Sequence, residues 1–211
     1  RDYRRICNYE TGEITVQWSD ERGAWKRRSF VSRDADVAVF ELQASSAGKL
    51  NCAISLQMPA EMNFPKGLKT KCLHTKDYLN IRVNYAAPMD TIGYEGGIRV
   101  KQKGGSSFLR NDTLYIKDAS EIILLSRTQK YPENCGAEWN KGLLKKGLDA
   151  IRANYNGLLK AHKALHTSIY NRVRIDLGAT PQERSLSNEE LLEKQKNTDQ
   201  PVLALWERIF D

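Results

Sequence analysis

The feature that most constrains this chain is a change of hydrophobic period near Tyr131 and Pro132. Before it, apolar and polar residues alternate, as in half-buried strands; after it, apolar residues recur every third or fourth position, as along one helix face. From Leu144 the stripe runs through Leu148, Ile151, Tyr155, Leu158, His162, Leu165 and Ile169. The spacing predicts a helix from about 137 to 173, although Gly142, Gly147 and Gly157 each cost about 1 kcal/mol relative to alanine in a helix interior and point to a break or to close packing. Leu177 and Gly178 are expected to end it, because glycine tolerates the left-handed conformation of a C-cap. Such a seam must lie on something. A second stripe, Val202, Leu205, Trp206, Ile209 and Phe210, closes the chain with nothing after it to cover it. The expected organisation is a β domain over 1–131 and a helical linker over 132–211 that leads to a further domain.

Within the first 131 residues, Ile14, Val16 and Trp18 alternate with polar neighbours, and Asp20 to Gly23 turn the chain into Trp25 to Ser32. Val37 to Leu42, Leu50 to Leu56 and Leu79 to Tyr85 read as further strands, with Pro59 to Lys69 as a loop. Gly96, Gly97, Gly104 and Gly105 are expected to bracket a strand over Ile98 to Lys103. The uninterrupted run Ile122, Ile123, Leu124, Leu125 is expected of a strand covered on both faces. Nine or ten short strands without intervening helices predict a mainly β protein, an antiparallel β-sandwich followed by C-terminal helices. Ser187 with Glu190 fits a capping box opening a helix to about Lys196, and Pro201 fits the first turn of the last helix.

A length of 211 residues allows one or two domains at about 150 residues each, and a core that needs no staples. No stretch approaches the ~20 apolar residues that span a bilayer, so no membrane partner is expected. The net charge of +7 raises nucleic acid as a partner. The densest basic set, Lys141 to Arg174, lies off the apolar seam with no aromatic residues interleaved for base stacking, so none is expected. Cys7, Cys52, Cys72 and Cys135 show no metal-ligand spacing. They read as free buried thiols, with a Cys7 to Cys52 or Cys52 to Cys72 bridge open in an oxidising compartment.

No catalytic constellation stands out. His162 and His166 lie one helical turn apart but read HKALH, without the glutamate that metalloprotease chemistry places beside the first histidine. His162 lies on the seam and is expected as a hydrogen-bonded core or interface histidine. No metal or other cofactor is expected. Glycoside cleavage needs two carboxylates in distinct roles, and no spacing among the 26 acidic residues singles out a pair. Of the four tryptophans, Trp18 alternates in phase with core residues, and Trp139 and Trp206 sit at helix positions suited to burial. Trp25 remains as the candidate sugar contact.

Several segments carry a resemblance. HKALHTSIYNRVRIDLG, residues 162–178, resembles the linker segment of glycoside hydrolase family 95, the α-L-fucosidases and α-L-galactosidases, through His162, Arg172, Val173 and Ile175 to Gly178. RDYRRICNYETGEITVQW is similar to that family's Tyr-Arg-Arg strand and Thr-Gly turn through Tyr3, Arg4, Arg5, Thr11 and Gly12. Trp25, Arg27, Phe30 and Ser32 match a further segment, and residues 114–131 resemble the strand pair that ends its β domain. His166 stands where the family often has tyrosine, and SNEELL departs from its usual sequence. The resemblance implies an N-terminal β-sandwich, here lacking its first strands, then helical linkers, then an absent (α/α)6 barrel holding the catalytic residues of an inverting mechanism. It implies no catalytic residue in this chain, a carbohydrate partner reached through the missing barrel, and a periplasmic or secreted location. An uncovered apolar linker face also favours oligomerisation. The alternative reading is a stand-alone carbohydrate-binding or surface interaction module.

Overall fold

The computed structural model describes residues 1–46, 50–58, 64, 66–88, 92–131 and 142–210. Cys135, Trp139 and the start of the expected long helix lie outside them. The chain forms two compact units, 1–166 and 167–211.

The first unit contains strands β1 (Arg4–Asn8), β2 (Glu13–Asp20), β3 (Gly23–Ser32), β4 (Val37–Ala44), β5 (Leu50–Ser55), β6 (Lys69–His74), β7 (Tyr78–Asn84), β8 (Gly93–Lys103), β9 (Ser106–Arg110), β10 (Thr113–Ala119) and β11 (Glu121–Tyr131). Eight form one sheet in the order β1-β2-β3-β4-β11-β8-β7-β6, and three form a second in the order β5-β10-β9. All neighbours are antiparallel. The expected antiparallel sandwich is therefore present.

β11 lies inside the larger sheet, between β4 and β8, and its apolar run divides by strand alternation. Ile122 and Leu124 face a core shared with the smaller sheet, where Trp25, Leu50, Leu79, Val100, Leu114, Ile116 and Ala119 are buried. Ile123 and Leu125 face the opposite core, with Phe30, Val37, Val39, Tyr78 and the helical residues Leu144, Leu148, Tyr155 and Leu159. Helices thus cover the face of the large sheet that the small sheet leaves bare. Each large apolar side chain so enclosed contributes about 1.5–3 kcal/mol.

The expected single helix is two: α1 (Leu143–Ala150) and α2 (Tyr155–Tyr170). A residue of the sheet explains the break. Arg99 on β8 donates from Nη1 to the carbonyls of Leu148 and Ile151 at 2.8 and 2.6 Å, satisfying acceptors that a helix end leaves open. Ile151 leaves α1 in an extended conformation. The buried positions then resume as Tyr155, Leu159 and His162, while Leu165 and Ile169 of the expected seam are exposed.

Gly96 and Gly97 also differ from expectation, since β8 runs straight through them. A Cβ on Gly97 would stand 2.6 Å from the Tyr78 hydroxyl and 3.0 Å from Leu144 Cδ2. The glycine allows α1 to approach the sheet rather than punctuating a turn. Cys7, Cys52 and Cys72 are free, so neither bridge left open by the sequence forms, but Cys7 and Cys72 are exposed on strands rather than buried, and Cys52 is half-buried.

In the second unit, α3 (Pro181–Ser185), α4 (Asn188–Lys196) and α5 (Leu203–Phe210) enclose Ala179, Leu191, Val202, Ala204 and Leu205. The Ser187–Glu190 capping box is present, and Thr180 with Glu183 forms another. Helix α2 ends at Tyr170, so left-handed Gly178 lies in the irregular stretch that follows rather than at its cap. Glu207 is buried, accepting the N–H groups of Leu177 and Ala179 and two guanidinium bonds from Arg184 at 2.8 and 2.9 Å. The Arg184 guanidinium foremost, helped by the two backbone N–H groups, holds its carboxyl down at about 2.

Gly97→Ala should lower stability by about 1–3 kcal/mol in urea unfolding, the cost of overpacking; an unchanged midpoint would contradict the close approach of α1. A carboxylate whose folded pKa is depressed stabilises above its unfolded value and loses that contribution as pH falls through the folded one. The helical signal of the second unit should therefore weaken between about pH 4.5 and pH 2, and Glu207→Gln should flatten that loss in circular dichroism.

Candidate functional site

Four of the residues that carry the family resemblance, Thr11, Gly12, Phe30 and His162, converge on one place, where α2 meets the sheet. The turn between β1 and β2 needs a backbone that bends back and leaves room. Gly12 supplies both, with a φ of 63° and a position where a Cβ would lie 2.9 Å from His162 Nε2. His162, at 2 % exposure, is buried beside it. Its Nδ1 accepts the Arg33 backbone N–H at 3.3 Å, so Nε2 carries the proton and donates to the Thr11 carbonyl at 3.1 Å. His166 repeats the pattern, with Nδ1 accepting from Arg33 Nε at 3.1 Å and Nε2 bonded to the Tyr9 carbonyl at 2.8 Å.

Phe30 lies against the His162 ring, with centroids 5.1 Å apart, and meets Tyr155 edge-on at 5.2 Å. Ser32 accepts the Ala35 N–H and fixes the β3–β4 turn. The histidine pair is thus a clamp between one helix and two turns. Both imidazoles have their nitrogens occupied by protein, and the described residues contain no group of three potential metal ligands. The expectation of a hydrogen-bonded core histidine at 162 describes what is there.

Burial foremost, with the neighbouring His166 and Arg33 as further causes, lowers the His162 pKa below its ordinary 6.5. A base so depressed stays neutral in the folded chain where the unfolded chain would take a proton, so stability falls as pH drops below about 6.5.

The buried carboxylates beneath the helices are structural in their bonding. Glu41 accepts from Arg28 at 2.7 Å, while the Arg28 guanidinium stacks 4.1 Å from the Tyr155 ring and the Tyr155 hydroxyl donates to Glu13 at 2.9 Å. Burial raises the Glu41 pKa, and the hydrogen bond from Arg28 is the largest opposing effect. Glu95 accepts Asn80 Nδ2 at 2.7 Å and the Tyr131 hydroxyl at 2.8 Å. Glycoside cleavage needs a proton donor and a second carboxylate facing one sugar. Glu95 has both oxygens bonded to neighbouring protein donors, and Glu41 and Glu13 have one each.

Trp25, the candidate sugar contact, is 9 % exposed. Its ring stacks against Trp18 with centroids 6.4 Å apart, and the Arg22 guanidinium lies 5.2 Å from its centroid. A cavity of about 620 Å³ borders this end of the sheet, lined by Arg4, Gln17, Trp25, Lys26 and Gln43 among others. Strand alternation turns Lys26, paired with Gln17 and Gln43, to the face opposite the Trp25 indole, which belongs to the core between the sheets.

Sequence reasoning passed over a different aromatic pair. Phe108 and Tyr115 stack at 5.2 Å with planes 10° apart on the smaller sheet, and Phe108 is 37 % exposed. The signal available was the alternation of Tyr115 with the buried Leu114 and Ile116, which turns it outward. On α5, Trp206, Ile209 and Phe210 are 52, 66 and 53 % exposed, whereas Val202 and Leu205 of the same stripe are buried in their own unit.

A two-sheet antiparallel sandwich with helices docked on its larger sheet defines a β-sandwich domain. Residues 1–131 match the family described as glycosyl hydrolase family 65, N-terminal domain. This is more than half of the 211 residues, and the chain belongs to that family. The matched family is 65, whereas the sequence motifs resemble family 95; an N-terminal domain of glycoside hydrolases is what the two share. No curated protein matches the chain. Among solved structures, 25 chains match. One, provisionally named kojibiose phosphorylase and from the human microbiome, aligns with a TM-score of 0.55 and 10% identity over 81% of this chain. At that identity the likeness is one of fold. This chain spans 25% of the length of that protein.

For the clamp, the expected outcome is a fall in the thermal midpoint between pH 7.5 and pH 5.5 that His162→Gln reduces. Scanning calorimetry of both chains checks it, and identical pH slopes would contradict a buried neutral His162.

Proposed function

We infer that this chain is the non-catalytic N-terminal portion of a longer carbohydrate-active enzyme that hydrolyses terminal α-L-fucosyl or α-L-galactosyl linkages with inversion. The observation that carries this reading is the apolar ridge of Trp206, Ile209 and Phe210, three large side chains turned to water on one short helix. A contiguous apolar patch of this kind marks a surface made to be covered. An adjoining catalytic domain is the natural cover, given that the chain spans 25% of its structural relative. Membership of a glycoside hydrolase N-terminal family supports the carbohydrate partner, and the motifs around Tyr3, Thr11, Phe30 and His162 favour the fucosidase or galactosidase type. A periplasmic or secreted location belongs to the same proposal.

The name of the structural relative raises phosphorolysis as the competing chemistry, and an assay separates the two. The longer gene product should release fucose or galactose from aryl α-L-glycosides in phosphate-free buffer, with inverted anomeric configuration by proton NMR, while the 211-residue chain releases neither. Turnover that requires phosphate, or any turnover by the 211 residues alone, would overturn the reading.

A further inference from the structure

The outer face of the small sheet carries a surface that the foregoing leaves unused. β10 lies between β9 and β5, and the register places Phe108, Tyr115 and Ala53 side by side in one rung across the three strands. Adjacent strands are about 4.8 Å apart, so the rung is a short, nearly flat platform. Its composition is uneven. Phe108 and Tyr115 stack nearly parallel, the Lys117 ammonium lies 5.5 Å from the Phe108 centroid, and Ala53 on the other side of Tyr115 offers only an exposed methyl. One face of the pair is therefore closed by a cation, while the Tyr115 side is bordered by a side chain too small to cover a ring.

The rungs on either side are polar. Arg110, Thr113 and Ser55 form one, and Ser106 with Lys117 the other. Among the described residues, the side chains of Arg110, Ser106 and Ser55 make no hydrogen bond or ion pair, so their capacity faces solvent. The nearby cations Arg110 and Lys117 are balanced by exposed Asp112 and Asp118, which disfavours a polyanion such as nucleic acid. A stable protein interface needs about 800 Å² per partner, far more than one aromatic rung offers.

An aromatic rung between two polar rungs that carry the free donors of Arg110, Ser55 and Ser106 fits a neutral, polyhydroxylated ligand with one apolar ring face. We propose that Tyr115, Phe108 and their polar flanks form a glycan-binding platform on the sandwich, an accessory site for polysaccharide rather than a place of catalysis. It rests on the carbohydrate reading above but does not depend on which linkage the longer protein cleaves. The pyranose C–H face lies on the Tyr115 side of the pair over Ala53, and its hydroxyls reach Arg110, Ser55 and Thr113.

The test is affinity gel electrophoresis of the 211-residue chain in gels containing xyloglucan, with and without its terminal α-L-fucosyl groups, or arabinogalactan. At least one polysaccharide should retard the chain. Tyr115→Ala should weaken binding at least tenfold, and so should Ala53→Glu, which adds bulk over the ring at an exposed position and leaves the core untouched. Trp206→Ser, on another surface, should bind as the parent does. Circular dichroism confirms that each variant folds. Migration unaffected by all three polysaccharides, or retention of binding by Ala53→Glu, would overturn the platform. Neither outcome bears on aryl-glycoside hydrolysis by the longer protein, which tests the enzymatic reading separately.

Discussion

Burial of the eight-stranded sheet on two faces at once is the constraint on which the first unit depends. A sheet with one wet face needs only alternation, whereas β3 already buries side chains on both sides, Trp25 in one core and Phe30 in the other. β11 cannot be read that way. Its four consecutive aliphatic residues would expose two side chains to water if either the small sheet or the helices were missing. The hydrophobic gain from covering both faces selects the layered arrangement, and the helices that follow the strands are the material that completes it. Buried polar groups then have to be met locally, which accounts for Arg28 reaching Glu41 and Arg99 reaching the carbonyls at the end of α1.

The clamp around His162 gives the scattered motifs of the sequence a common physical cause. Thr11, Gly12, Phe30 and His162 stand far apart along the chain yet meet in one contact, where the imidazole is held by two backbone groups and lies against an aromatic ring. Their role is to hold α2 against the turns of the larger sheet. The aromatic pair Phe108 and Tyr115 lies on the smaller sheet, away from these four residues. A resemblance built on such residues therefore speaks to architecture more strongly than to substrate, in keeping with a match at the level of a glycoside hydrolase N-terminal domain.

Much of this was legible in the sequence because it is local. The change of period at Tyr131, the run Ile122 to Leu125 and the Ser187 capping box each follow from neighbouring residues, and each predicts what the structure contains. The glycines point to a break or to close packing, but its place between α1 and α2 was not legible, because the group that ends α1 is Arg99, about fifty positions away and on a strand. The glycine pair in β8 misled for the same reason, since Gly97 answers to Tyr78 and Leu144 rather than to a turn. Composition does not say which aromatic face stays wet, so the tryptophans stand out in the sequence and Phe108 does not. Trp25 packs against Trp18 in the core between the sheets, while Phe108 lies on an outer surface.

The helices are part of the sandwich core, and a shorter chain tests that directly. A chain ending after Tyr131 retains every strand and the whole stretch that defines the family. It loses the cover over Phe30, Val39, Ile123 and Leu125. Urea unfolding of this chain beside the 211-residue chain, followed by near-ultraviolet circular dichroism, should show fixed aromatic packing and a cooperative transition in the longer chain and neither in the shorter. A shorter chain that unfolds cooperatively at the same midpoint would contradict the claim that two-sided burial holds this fold together.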